Sequence, residues 1–131
     1  LQEQEVWFGN YEKDPSKKFF TICKNETPIG IIGLSNIHTI NKNADLFIVI
    51  GEDEYRGKGY GKKAMEWILD FGFHELGLHK INLGVFEENE SAIHLYKKLG
   101  FKTEGVMKDE IYFDDAFHNF LSMAIFKKDI R

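Results

Sequence analysis

The chain has 131 residues, with 17 Lys and Arg against 21 Asp and Glu, for a formal net charge of −4. That length suits one domain spanning 1–131, which buries roughly two-thirds of its unfolded surface and needs no disulfide or metal to hold its core. Hydrophobic residues make up 43% and prolines number only two, which excludes a disordered chain, while the mild acidity weighs against a general nucleic-acid binder. No apolar run approaches the roughly 20 residues of a membrane helix. Leu1 to Glu5 show neither the basic start nor the apolar stretch of a signal peptide, and Cys23 has no partner for an internal disulfide. The expected setting is therefore a reducing cytoplasm.

Residues 1–13 read as the tail of a helix, with Val6, Trp7 and Tyr11 on one side, until Asp14-Pro15-Ser16 breaks it. Residues 18–24 (KFFTICK) read as a strand, 25–28 as a turn, 29–35 as a second strand, 36–43 as a polar loop and 44–50 as a third strand. Beyond a glycine cluster at 56–61 the apolar period changes from 2 to about 3.6. Ala64, Ile68 and Phe71 then share one helical stripe, and Met65, Leu69, Phe73 and Leu76 an adjoining one, with Gly77 as the stop. Residues 80–86 alternate as a strand, and Asn89 is placed to cap a helix carrying Ala92, Ile93, Tyr96 and Leu99 that ends at Gly100. Short strands over 101–106 and 109–113, a turn at Asp114-Asp115 and a last strand over 119–127 complete the chain. The order β-β-β-α-β-α-β-β predicts a mixed sheet with helices, so α/β or α+β.

Chemistry concentrates where the third strand runs into the glycine cluster and a helix begins. Glycines let the backbone take φ > 0 and approach a ligand closely, and the unpaired N–H groups and dipole of a helix start favour an anion. Arg56, Lys58, Lys62 and Lys63 add positive charge, so a phosphate or pyrophosphate is one reading; glycines that merely tighten the turn beside solvated lysines are the other. A Walker A loop fails, because position 56 is Arg and Lys63 follows Gly61-Lys62. Gly59, Gly61 and Ala64 meet a loose dinucleotide fingerprint, but the nearby acid, Glu75, lies inside the helix rather than ending a second strand.

Arg56, Gly59 and Gly61, as R-x-x-G-x-G between a strand and a helix, resemble motif A of the GNAT superfamily of N-acetyltransferases. The later run from Asn89 through Ala92 and Tyr96 to Gly100-Phe101 resembles that family's N-x-x-A-x-x-x-Y-x-x-x-G-F element. Both occur in order and in the right setting, and 19–126 resembles the branch with RimJ/RimL-type and spermidine N-acetyltransferases. The resemblance implies a twisted mixed sheet flanked by helices, with part of a usual N-terminal strand and helix missing from the sequence. It also implies acetyl-CoA as cosubstrate, a primary amine as acceptor (polyamine, protein N-terminus, lysine, amino sugar, amino acid or amine antibiotic) and a homodimer.

Residue by residue, the resemblance assigns the pyrophosphate to Arg56, Gly57, Lys58, Gly59, Tyr60, Gly61 and Lys62. It sets the acetyl carbonyl against backbone N–H groups of Ile48, Val49 and Ile50, where the family's strand is splayed by a bulge. Preorganised donors of this kind commonly supply a few kcal/mol. Tyr96 matches the family's general acid, and a phenol with an ordinary pKa of about 10 carries the needed proton at neutral pH. Asn89 both caps its helix and bonds the pantetheine or acetyl end, Ala92 belongs to the same element, and Lys98 either touches CoA or is solvated. The general base stays open: some relatives carry Glu five residues ahead of the Asn, but here that residue is Gly84, leaving Glu52, Glu54, Glu87 or water. Asp109 and Glu110 either attract a cationic amine or are turn and edge charges. The five histidines and Cys23 are too scattered for a metal set. Direct attack of the amine on acetyl-CoA is the simplest reaction, and a non-catalytic acyl-CoA-binding or regulatory module is the alternative.

Overall fold

The computed structural model describes residues 6–10, 14–51 and 59–130. A seven-stranded sheet runs in the order β1-β2-β3-β4-β5-β7-β6. Its strands are β1 (Val6–Asn10), β2 (Lys18–Lys24), β3 (Thr27–His38), β4 (Asn43–Ile50), β5 (Lys80–Phe86), β6 (Lys102–Phe113) and β7 (Ala116–Phe126). Helix α1 (Tyr60–Asp70) joins β4 to β5, and α2 (Glu90–Leu99) follows β5. Among the described residues only β4 and β5 run parallel, and every other pairing is antiparallel. The expected mixed sheet with helices is therefore present.

Alternation sets the burial. Phe20 and Ile22 of β2, Ile32 and Leu34 of β3 and Leu46 of β4 point to one face and are buried, together with Ala64, Met65, Ile68 and Leu69 of α1. Leu69 of α1 and Leu99 of α2 line one cleft, so both helices cover that same face. The tail of α1 widens into a π-helical turn over Phe71–Glu75, where Gly72 lets Ile81, Leu34 and Leu78 close in, and Gly77 ends it at φ 69°.

Two-residue turns with both residues at positive φ, Asn25-Glu26 and Asp114-Asp115, close the β2–β3 and β6–β7 hairpins. Several boundaries differ from expectation. Val6–Asn10 is an edge strand paired with β2, not a helix tail: Phe20 to Lys24 offer it a row of main-chain partners, and that pairing overrides the local pattern. β3 runs on to His38 through polar residues, because Ile37 N–H reaches Ser16 O and His38 still pairs with Asn43 past a bulge. In place of two short strands, Lys102–Phe113 is one long strand bent between Met107 and Ile111, with Asp109 at φ 50°.

Candidate active site

The parallel pairing of β4 with β5 lasts three rungs, Asn43↔Lys80, Ala44↔Ile81 and Asp45↔Asn82. Beyond them β4 stays on β3 while β5 follows β7 from Leu83↔Met123 to Phe86↔Phe120, so the two strands part into a fork. Polar side chains pin its crotch. Asn82 Nδ2 donates to Ala44 O at 3.3 Å and, more weakly, to Asp45 Oδ1 at 3.5 Å, while Asp45 Oδ2 accepts from Asn36 Nδ2 at 2.9 Å.

The ladder fixes which amides face the opening. Gly51 N–H donates to Ile29 O at 2.8 Å, and antiparallel alternation then turns the main chain of Val49 and Phe47 toward β3 and that of Ile48 and Ile50 toward the fork. Of the three expected oxyanion residues, Val49 is thus spoken for by β3. Among the described residues the β3–β4 ladder shifts register only between Ser35 and His38, away from 48–50, so the opening comes from the departure of β5.

Both helices start at the mouth of this fork, because each follows the carboxyl end of one of two parallel strands. Gly59 precedes α1 at φ 89°, a conformation that L side chains rarely adopt, and supplies no side-chain cap. The first turn of α1 holds no acid and carries Lys62 and Lys63 beside the positive end of the dipole, a setting that favours an anion. Gly61 has no positive φ, and among the described residues a Cβ there would meet only Ile48 Cδ1, at 4.0 Å. Tyr60 is buried, which leaves only its main chain for a ligand. Arg56, Gly57 and Lys58 lie outside the described residues, as do Glu52 and Glu54.

On α2, Asn89 is the N-cap, its Oδ1 accepting from Ala92 N–H at 3.2 Å and Ser91 Oγ at 3.4 Å. Ala92 and Tyr96, four apart, share a half-buried stripe packed against the core. Burial pushes the Tyr96 phenol above its ordinary value, and its ring sits 6.0 Å from Phe101. Lys62 and Lys98 face one cleft of about 290 Å³ between the helices, with Glu66 on its wall. A larger depression of about 660 Å³ lies on the helix-free face, lined by Phe19, Thr21, Ile31, Phe47 and Val49. Among the described residues its lining carries no charged group to meet a phosphate.

Gly84 is occupied territory: any Cβ there would overlap the ring of Phe120, so an aromatic fills the space that a side chain at 84 would take. Glu87 accepts from Asn119 Nδ2 at 2.9 Å, and Asn119 Oδ1 in turn accepts from Asp109 N–H at 2.9 Å. The adjacent Glu88 meets His118 at 2.8 Å. The side chains of Asp109 and Glu110 are exposed on β6. Asn36, Asp45, Asn82, His118 and Asn119 escaped the sequence reading, since each acts through a partner remote in sequence; only a polar residue inside an apolar strand, such as Asn82, carried a local hint. Among the described residues no three His, Cys, Asp or Glu side chains cluster to hold a metal.

Comparison with known proteins gives a family model described as "Acetyltransferase (GNAT) family", which matches residues 1–101. Spermidine N(1)-acetyltransferase of Escherichia coli is 36% identical over 120 residues, covering 92% of this chain and 64% of that protein. The enzyme of the same name from Vibrio cholerae is 30% identical over 122 residues, covering 93% and 70%. The dodecameric structure of the Vibrio cholerae spermidine N-acetyltransferase superposes with a TM-score of 0.84 at 32% identity, over 88% of this chain and 67% of that one.

Proposed function

Since the chain belongs to the acetyltransferase (GNAT) family and shares its fold, we propose that it moves the acetyl group of acetyl-CoA directly onto a primary amine, with a polyamine as the preferred acceptor. The observation that carries this reading is the β4–β5 fork opening between two helix N-termini. The residues there fit the cosubstrate: the side-chain-free approach at Gly59 and Gly61 and the positive charge of Lys62 and Lys63 in the first turn suit a diphosphate, and the gap between the strands suits a narrow pantetheine arm.

Acetyl-CoA supplies an activated thioester. The chain supplies the Ile48 amide as donor to the carbonyl oxygen where charge develops. Tyr96 gives a proton to the leaving thiolate, and its raised pKa keeps that proton in place across the physiological range. Asn89 holds the start of α2 and so the height of Tyr96 beside the fork. With Gly84 covered by Phe120, the amine loses its proton to Glu52, Glu54, Glu87 or water. Polyamine specificity is favoured by the names of the relatives, which this chain matches over only 64% of the length of the Escherichia coli protein.

The non-catalytic acyl-CoA-binding module is the second reading, favoured by the missing carboxylate at Gly84. An amine panel with acetyl-CoA, read by free CoA thiol, separates the two. Thiol release with spermidine exceeding that with amino sugars or peptides, and lost in Tyr96→Phe while acetyl-CoA still binds, supports the enzyme. Binding without release for every amine supports the module.

The dodecamer of the Vibrio cholerae relative favours self-association here as well, with the homodimer as the smallest form to seek by sedimentation. Residues 1–131 act as one catalytic domain in this reading. No helix among the described residues is long and apolar enough to cross a membrane, and a cytoplasmic setting suits the buried thiol of Cys23.

A further inference from the structure

We propose that His118, outside the acetyl-transfer machinery, is a positioning residue: its imidazolium clamps the turn that starts α2 onto the β6–β7 hairpin, and so makes donor binding depend on pH. The proposal rests on the acetyl-CoA reading for its effect on binding, though not for the existence of the clamp. His118 Nδ1 lies 2.8 Å from Glu88 Oε2 and Nε2 lies 2.9 Å from Phe113 O. A carboxylate and a carbonyl are both acceptors, so both ring nitrogens must donate, and only the doubly protonated ring can do so.

Three segments meet at this ring. Glu88 belongs to the turn between β5 and α2, Phe113 ends β6, and His118 itself is on β7. The ring is edge-on to Phe86 of β5 and tilted against Phe113, and its side chain is only 21% exposed. Among the described residues the charged groups acting on it are Glu88 and, from the hairpin turn, Asp114. The hydrogen bond with Glu88 is the main cause that holds His118 above its ordinary value and Glu88 below its own.

A parallel link ties the neighbouring residues: Glu87 to Asn119, and Asn119 to Asp109 N–H. The clamp therefore grips residue 88 just before Asn89, whose own N–H closes the turn on Phe86 O at 3.0 Å. Deprotonation leaves one ring nitrogen with a lone pair facing an acceptor oxygen. One of the two links must then break, freeing either the cap of α2 or the hairpin tip.

The test measures acetyl-CoA affinity by calorimetry from pH 5.5 to 9 for the wild type, His118→Gln, His118→Arg and Glu88→Gln, with NMR titration of the His118 ring and of the Asn89 and Tyr96 amides. The wild type is expected to lose roughly 3- to 10-fold in affinity as the ring deprotonates. H118Q should sit at the weak level at every pH, H118R at the tight level, and E88Q should lower the His118 pKa. A wild-type affinity step that persists unchanged in H118Q, or a His118 pKa unmoved by E88Q, overturns the proposal. If no variant binds acetyl-CoA, the donor reading fails by itself. The clamp is then judged on whether the Asn89 and Tyr96 amides shift with the His118 titration in the wild type and not in H118Q; absence of that shift overturns it.

Discussion

Gly61→Ala separates a binding glycine from a structural one. Gly61 sits in the first turn of α1 without positive φ, and a methyl there would make only an ordinary contact with Ile48 at 4.0 Å. Alanine also loses less conformational freedom than glycine on entering a helix, so the fold should gain about 0.5 kcal/mol at this terminal position. For a chain of this size that is a rise of roughly 1–3 °C in Tm. The same methyl would stand between the helix mouth and a diphosphate. Losing one charge-assisted N–H contact costs about 1.5–3 kcal/mol, or roughly 10- to 100-fold in acetyl-CoA affinity. Calorimetric melting and isothermal titration on one preparation read both quantities. A variant that melts higher yet binds the donor as well as the wild type would refute the cradle, and one that melts well below it would refute the packing argument.

Tyr96→Phe should lower kcat by roughly 10²-fold or more while leaving the KM for acetyl-CoA nearly unchanged, as steady-state kinetics on both substrates would read. Asn89→Ala removes the acceptor for Ala92 N–H and should cost about 1 kcal/mol by urea unfolding, with Asn89→Ser recovering most of it. Gly84→Glu forces a side chain into the Phe120 ring and should destabilise by about 1–3 kcal/mol, a loss that shrinks in a Phe120→Ala background. His118, raised on folding, adds stability that is complete below the ordinary histidine value of about 6.5 and fades as pH climbs through its folded value. Glu88, lowered on folding, adds stability that is complete above the ordinary value of about 4.3 and fades as pH drops through its folded value. The stability gap between wild type and Glu88→Gln should therefore be widest between those two ordinary values, in urea midpoints measured against pH.

Elements whose signal is local were legible in the sequence. β2 and β5 fall where alternation put them, α2 starts at its Asn89 cap and stops at Gly100, and Asp114-Asp115 makes its turn. What escaped depends on partners distant along the chain. Nothing in Val6–Asn10 announces that β2 will offer it an edge, and nothing in 36–38 announces that Asn43 will accept a rung beyond a bulge. The glycine motif marked the helix mouth, yet the division of labour between Ile48 and Val49 follows only from the phase of the β3–β4 ladder. Gly84 read as a missing carboxylate; the reason a carboxylate cannot return there is a ring 36 positions later on the neighbouring strand.

The short seam at Asp45 and Asn82 also has a mechanical side. A sheet of seven strands is joined across its middle by three rungs, so its two leaves, β1 to β4 and β5 to β7, should part along this line before antiparallel neighbours within a leaf do. A molecule lodged between the leaves acts as a rivet. Amide exchange along 46–50 and 83–86 should then slow together when the rivet is in place, and pulling the chain apart should split it first along that line.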